Sequence, residues 1–120
     1  MPTITVTLKK SAGDSWVLAS RDHAAEHYTQ EEIDNTLIPF LEYIKTLPGY
    51  DWANTTSVFS EDNNTLTTTH NFDTIENAID ADLKMFTPEE GTISYTRNQL
   101  VQSRIKSSGF NYTFSKVVLA

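Results

Sequence analysis

The sequence predicts a single α+β domain over residues 1–120, with elements in the order β-α-β-β-α-β. An antiparallel sheet carries two main helices on one face, and a short inserted helix precedes the last strand. Three observations point there. Apolar and polar residues alternate at both ends of the chain, over Thr3–Lys10 and Phe110–Leu119. Two stretches of helical spacing start at Thr29 and Asp73, each behind capping chemistry. Between them lies a run rich in Thr, Val, Phe and Trp, with Asp62-Asn63-Asn64 at its middle.

The first strand sets Ile4, Val6 and Leu8 against Thr3, Thr5, Thr7 and Lys9, the pattern of a half-buried strand. Ser11-Ala12-Gly13-Asp14 is turn chemistry, and Ser15–Ser20 reads as a short second strand or a continuation past a bulge. Arg21–Tyr28 has no clear period and reads as a loop with at most one helical turn.

Thr29-Gln30-Glu31-Glu32 then matches a capping box, followed by Ile33, Leu37, Phe40/Leu41, Ile44 and Leu47 at helical spacing. Pro39 sits well inside that stripe, where a proline removes a backbone bond and costs about 3 kcal/mol. A kink near Asn35–Thr36 is therefore expected. Leu47-Pro48-Gly49-Tyr50 ends the helix.

Residues 51–72 read as a hairpin. With Asn63-Asn64 as a two-residue turn, Glu61 faces Leu66, Phe59 faces Thr68 and Ser57 faces His70. One face then holds Phe59, Leu66, Thr68, His70 and Phe72, and the other the polar set Asn54, Thr56, Val58, Thr67, Thr69 and Asn71. Asp73-Thr74-Ile75-Glu76 opens a helix with Ile75, Ala78/Ile79, Leu83 and Phe86 on one side, stopping before Thr87-Pro88. Tyr95–Ser107 reads as the short inserted helix, and Phe110–Leu119 closes the sheet. This is the ferredoxin-like arrangement.

Composition narrows the function. The chain has 120 residues, and nine Lys+Arg against sixteen Asp+Glu leave a net charge of −7. That sign repels phosphate, so nucleic acid and anionic membrane surfaces are not expected partners. The apolar share is 38%, lean for a small domain, which suggests burial shared with a second subunit. There is no cysteine, so disulfide scaffolds, thiolate metal sites and cysteine nucleophiles are excluded. The opening Met1-Pro2-Thr3-Ile4-Thr5-Val6 has no basic segment leading into an apolar run, and no stretch is long enough to span a bilayer. The expected location is the cytoplasm.

Few residues have the chemistry of a site. His70 ends a strand on the face turned to the helices, and its pKa near neutrality suits proton transfer; the plainer reading is a histidine hydrogen-bonded to backbone. Trp16, Trp52, Tyr50 and Tyr28 are candidate walls for a planar ligand, and equally the fillers of a thin core. Phe59 and Phe72 share the face of His70 and join that wall. His23-Ala24-Ala25-Glu26-His27 matches H-x-x-E-H, an inverted zinc-protease pattern, but the segment is not convincingly helical and lacks a third ligand. It reads as an exposed loop with two incidental histidines, so no metal is expected, and no cofactor. Neither a glycine-rich phosphate loop nor a G-x-S-x-G elbow is present.

Two local features resemble a known group. Leu47-Pro48-Gly49-Tyr50 takes a helix straight into a strand, and Phe72-Asp73-Thr74-Ile75-Glu76-Asn77-Ala78 takes a strand's aromatic end into a capped helix. Together they resemble the dimeric ferredoxin-like, or dimeric α+β-barrel, superfamily, which includes antibiotic-biosynthesis monooxygenase-like proteins and small microbial members. The resemblance runs from Thr3 to Phe86. It implies a homodimer with sheets packed face to face, and a small organic ligand held between sheet and helices. It also implies cofactor-independent oxygenase or isomerase chemistry; His70 is the proton-transfer candidate by its own residue chemistry, not by the resemblance. The haem-degrading branch carries a histidine on the second helix, and Thr74–Phe86 has none. A second reading stands beside the enzyme: an interaction or assembly protein using the same dimer without a working pocket. A closed pocket beside His70 favours the first, and a packed interior the second.

Overall fold

The computed structural model describes residues 1–20 and 23–120; Arg21 and Asp22, the start of the segment read above as a loop, lie outside the described residues. Four strands, β1 (Thr3–Lys10), β2 (Tyr50–Phe59), β3 (Thr65–Phe72) and β4 (Tyr112–Leu119), form one antiparallel sheet in the order β2-β3-β1-β4. The helices are a single turn α1 (Ala24–His27), a composite helix of α2 (Gln30–Glu32), a π turn (Ile33–Leu37) and α3 (Ile38–Lys45), then α4 (Ile75–Phe86) and α5 (Ile93–Ser108).

The composite helix starts as its sequence demands. The Thr29 hydroxyl accepts the Glu32 N–H at 3.1 Å, and the Glu32 carboxylate accepts the Thr29 N–H at 2.8 Å. Pro39 then acts as expected, but the response is a widened turn. The Ile38 N–H reaches back to the Ile33 carbonyl, and Pro39 falls in the first turn of α3, where no N–H is needed.

The core lies between the sheet and α3 and α4. Ile4, Val6 and Phe72 from the sheet meet Ile44, Leu47, Ala78, Ala81 and Met85. The buried stripe of α4 is thus rotated from the one expected. Ala78 and Ala81 let the helix backbone come close to the sheet, while Ile79 and Leu83 point away and are half exposed. The inserted helix is a full 16 residues, from the Thr92 cap to Gly109, which takes the left-handed conformation at φ 73°. It packs on α3, α4 and the π turn, around a second small cluster of Ala24, Tyr28, Leu37 and Val101.

Three further expectations need correction. Ser15–Ser20 forms no strand; it is an irregular segment in which Val17 is buried and Trp16 packs on Phe59 at the far end of the sheet. Phe110 precedes β4 and is buried, its ring 5.7 Å from Trp16. In the hairpin, Phe59 faces Leu66 and Ser57 faces Thr68, a register two residues from the expected one. The loop is longer because side chains close it. The Ser60 N–H donates to the Thr65 carbonyl at 2.8 Å, and the Asp62 carboxylate accepts from Ser60 Oγ at 2.6 Å and the Asn64 N–H at 3.0 Å. Asn63 takes φ 63°, as its side chain permits. A slip of two residues preserves the faces, so Phe59, Leu66, Thr68, His70 and Phe72 still look toward the helices.

Between Asp51 and Thr56, β2 advances five residues while β3 advances two, so a bulge of three extra residues interrupts the pairing. Asn54 lies in this bulge and is tied down by its Nδ2 to the Asp51 carboxylate at 2.7 Å. The other sheet face carries no helix among the described residues. Thr3, Thr5, Thr7, Thr56, Thr67, Thr69 and Asn71 line it, with Val58, Val117 and Leu119 exposed.

Candidate functional site

His70 sits on β3 opposite Ile4 of β1, with its ring turned toward the helix layer. Its Nδ1 lies 2.7 Å from the Tyr50 hydroxyl, which in turn lies 2.9 Å from Thr55 Oγ1. Tyr50 is held by stacking on Phe72, with ring centroids 4.9 Å apart, and Phe86 of α4 stands edge-on to His70 at 6.5 Å. Phe86 itself packs against Phe114 at 6.0 Å and under the Lys116 ammonium, which pairs with Asp82 at 2.7 Å.

Burial sets the protonation of this cluster. Withdrawal from water pushes the His70 imidazole down from 6.5 to about 4, so the ring is neutral at pH 7. The same cause raises the Tyr50 phenol, which keeps its proton. A protonated phenol has one hydrogen to give. Either Tyr50 donates to Nδ1 and accepts from Thr55, or it accepts from an Nδ1–H tautomer and donates to Thr55. Thr55 Oγ1, the Tyr50 hydroxyl and His70 Nδ1 are each partnered either way, while His70 Nε2 makes no hydrogen bond among the described residues.

Of the expected wall, Tyr50 and Phe72 gather at His70. Phe59 and Trp16 do not: they pack together at the far end of the sheet, 5.6 Å apart, and Trp16 Nε1 donates to the Asn63 carbonyl at 2.8 Å. Phe59 faces Leu66, which is four residues along β3 from His70, roughly 13 Å. Trp52 leaves the sheet at the bulge and lies under Lys45, its ring 4.1 Å from the ammonium. Tyr28 is buried against α5, beside Arg104. Two residues escaped the sequence reading as neighbours of His70. Thr55 reaches it only because of the bulge, and nothing in a run of threonines marks a bulge. Phe86 was legible as a core-facing end of α4, but not what it touches.

Among the described residues are surface depressions of about 290 and 300 Å³. The first lies between α3 and the α4–α5 connection, walled by Tyr43, Leu83, Thr87, Pro88 and Thr92. The second lies where β1 and β4 end, beside Lys9, Ser11 and Tyr112. Neither reaches His70. The H-x-x-E-H segment is helical over Ala24–His27, and Glu26 stands 3.7 Å from both His23 and His27. No group of three metal-ligating side chains occurs among the described residues, and none of the helices described is long and apolar enough to cross a membrane. The chain matches no protein-family model, and no curated protein matches it.

Proposed function

We propose that this chain is a ferredoxin-like assembly protein that works as a homodimer, with the helix-free face of its sheet seated on the same face of a second copy. The observation that carries this is the uncovered face itself. Its centre is a block of threonines, and Val58, Val117 and Leu119 stand exposed on its two outer strands. Threonine ladders pair across a dry or water-bridged interface, and apolar edges supply the area a stable contact needs. For the ferredoxin-like placement, the support is the strand order, which read from the other edge is β4-β1-β3-β2, with both crossovers made by helices.

Sedimentation at about 50 μM should give twice the 13.5 kDa chain mass, a concentration at which a standard interface is saturated. Thr69→Lys, at the middle of the open face, should return the mass to 13.5 kDa with the fold intact. A wild-type mass of 13.5 kDa throughout would reject the proposal.

A second reading keeps His70 as a proton-transfer group for a small organic substrate, and the hydrogen-bonded chain Thr55–Tyr50–His70 favours it. Its weakness is access, since the ring is walled by Tyr50, Phe86 and the sheet. Screening small aromatic acids and phenols by the chemical shifts of the His70 ring decides between the two. Shifts that saturate with one compound favour the second reading.

A further inference from the structure

We infer that the outer edge of β4 is a second self-association surface, which pairs antiparallel with β4 of another copy and joins two sheets into one. The inference does not depend on the open face.

The direction of the backbone groups comes first. The Lys10 N–H donates to the Asn64 carbonyl, and the Pro2 carbonyl accepts from Phe72, so even-numbered residues of β1 point their backbone toward β3. The odd-numbered ones therefore point toward β4, where they pair with Thr113, Ser115, Val117 and Leu119. By the same alternation, the N–H and C=O groups of Tyr112, Phe114, Lys116 and Val118 point out of the sheet. Among the described residues none of them finds a backbone or side-chain partner. The strand is eight residues long and regular, without proline or bulge. Sheets ordinarily blunt such an edge, and β2 shows how: its bulge breaks the pairing line, and the Asn54 carbonyl there is taken by the Asn71 amide.

A second β4 fits this edge. In the register centred on Ser115, Tyr112 meets Val118, Thr113 meets Val117, Phe114 meets Lys116, and Ser115 meets its own copy. The outward-pointing groups then pair with one another, as an antiparallel ladder requires. No like charges face. The one ionised side chain of the strand, Lys116, comes opposite Phe114 and is already neutralised by Asp82. Phe114, 48% exposed, gains cover on the helix side, and Val117 at 47% gains it on the other. Because β2 is bulged, the joined sheet ends there, and the contact closes at a pair of chains.

Amide exchange on the full-length chain tests this directly, and a face-to-face dimer does not imitate it, since packing on the open face leaves edge amides in water. At an associating concentration the Phe114, Lys116 and Val118 amides should exchange at least about tenfold more slowly than on dilution to monomer. Thr69→Lys, a single chain at about 50 μM, should gain that protection at about 1 mM, where the weaker edge contact forms, while Ser115→Lys, which sets two ammonium groups opposite each other at the centre of the register, should remove it. Exchange of these three amides at the rate of unstructured chain at every concentration, with Thr113 and Val117 protected, would overturn the inference.

Discussion

His70 behaves as a neutral, half-buried imidazole, and that has a measurable consequence. In the unfolded chain it takes up a proton near pH 6.5, whereas folded it does so only near about 4. Between those values the unfolded state binds more protons, so stability is complete above pH 6.5 and falls as the pH drops toward about 4. The upper bound is about 3 kcal/mol, reduced by whatever solvent contact the half-buried ring keeps. The melting temperature should therefore decline between pH 6.5 and 4.5, and His70→Gln should flatten that decline. Glu32 and Asp62, both held below the ordinary carboxylate range, act at lower pH: Glu32 by the Thr29 backbone bond above all, Asp62 by the Ser60 hydroxyl. A slope unchanged in the variant would remove His70 from the account. Tyr50→Phe probes the same chain from the other side. It strips the partner from His70 Nδ1 and from Thr55, and should cost about 1–3 kcal/mol in denaturant unfolding. If it costs nothing, water reaches the cluster.

Among the elements, the two motifs that bracket the hairpin turn out to be in contact. Gly49 and Tyr50 end the α3–β2 turn, and Phe72 and Asp73 end β3. The Asp73 N–H donates to the Gly49 carbonyl at 3.0 Å, beside the stacked pair Tyr50–Phe72. Gly49 has φ 71°, and a Cβ there would stand 1.9 Å from an Asp73 carboxylate oxygen that is itself fixed by Asn77 Nδ2 at 2.8 Å. Gly49→Ala should thus cost more than the about 1 kcal/mol of a left-handed alanine, and roughly 2–4 kcal/mol is expected. Adding Asp73→Ala should recover part of the loss, because the clash goes and only the backbone strain remains. Thermal unfolding of the single and double variants reads both numbers, and simple additivity would show that the crowding is not at Asp73. The capping box makes a milder prediction. Thr29→Ala should cost about 1 kcal/mol, with the loss confined to protection of the first turns of the composite helix.

At the scale of the whole molecule, the sheet has one face covered by helices and one bare, and one blunted edge and one open. A chain with that asymmetry gains stability by mass action when copies meet. Raising the protein concentration tenfold within the micromolar range should raise the melting temperature by a few degrees, and Thr69→Lys should make it independent of concentration over that range. A concentration-independent wild type would argue for a bare face that stays in water.

Much of the fold was legible along the chain, because its signals are local. Alternation at Thr3–Lys10, the Thr29 and Thr74 caps and the break at Thr87-Pro88 each depend on residues within one turn or strand. The faces of β3 were legible too, since a slip of two residues leaves them unchanged. Distance along the chain hid the rest. Ile79 and Leu83 look as apolar as a core stripe, but only the close approach of Ala78 and Ala81 to the sheet turned them outward. Trp16 and Phe59 carried the composition of a pocket wall, yet the path of residues 11–20 set them at the opposite end from His70. The bulge that brings Thr55 to Tyr50 rests on pairing with a strand ten or more residues away, which no local pattern encodes. Periodicity and capping chose the elements; packing between them chose which side chains meet.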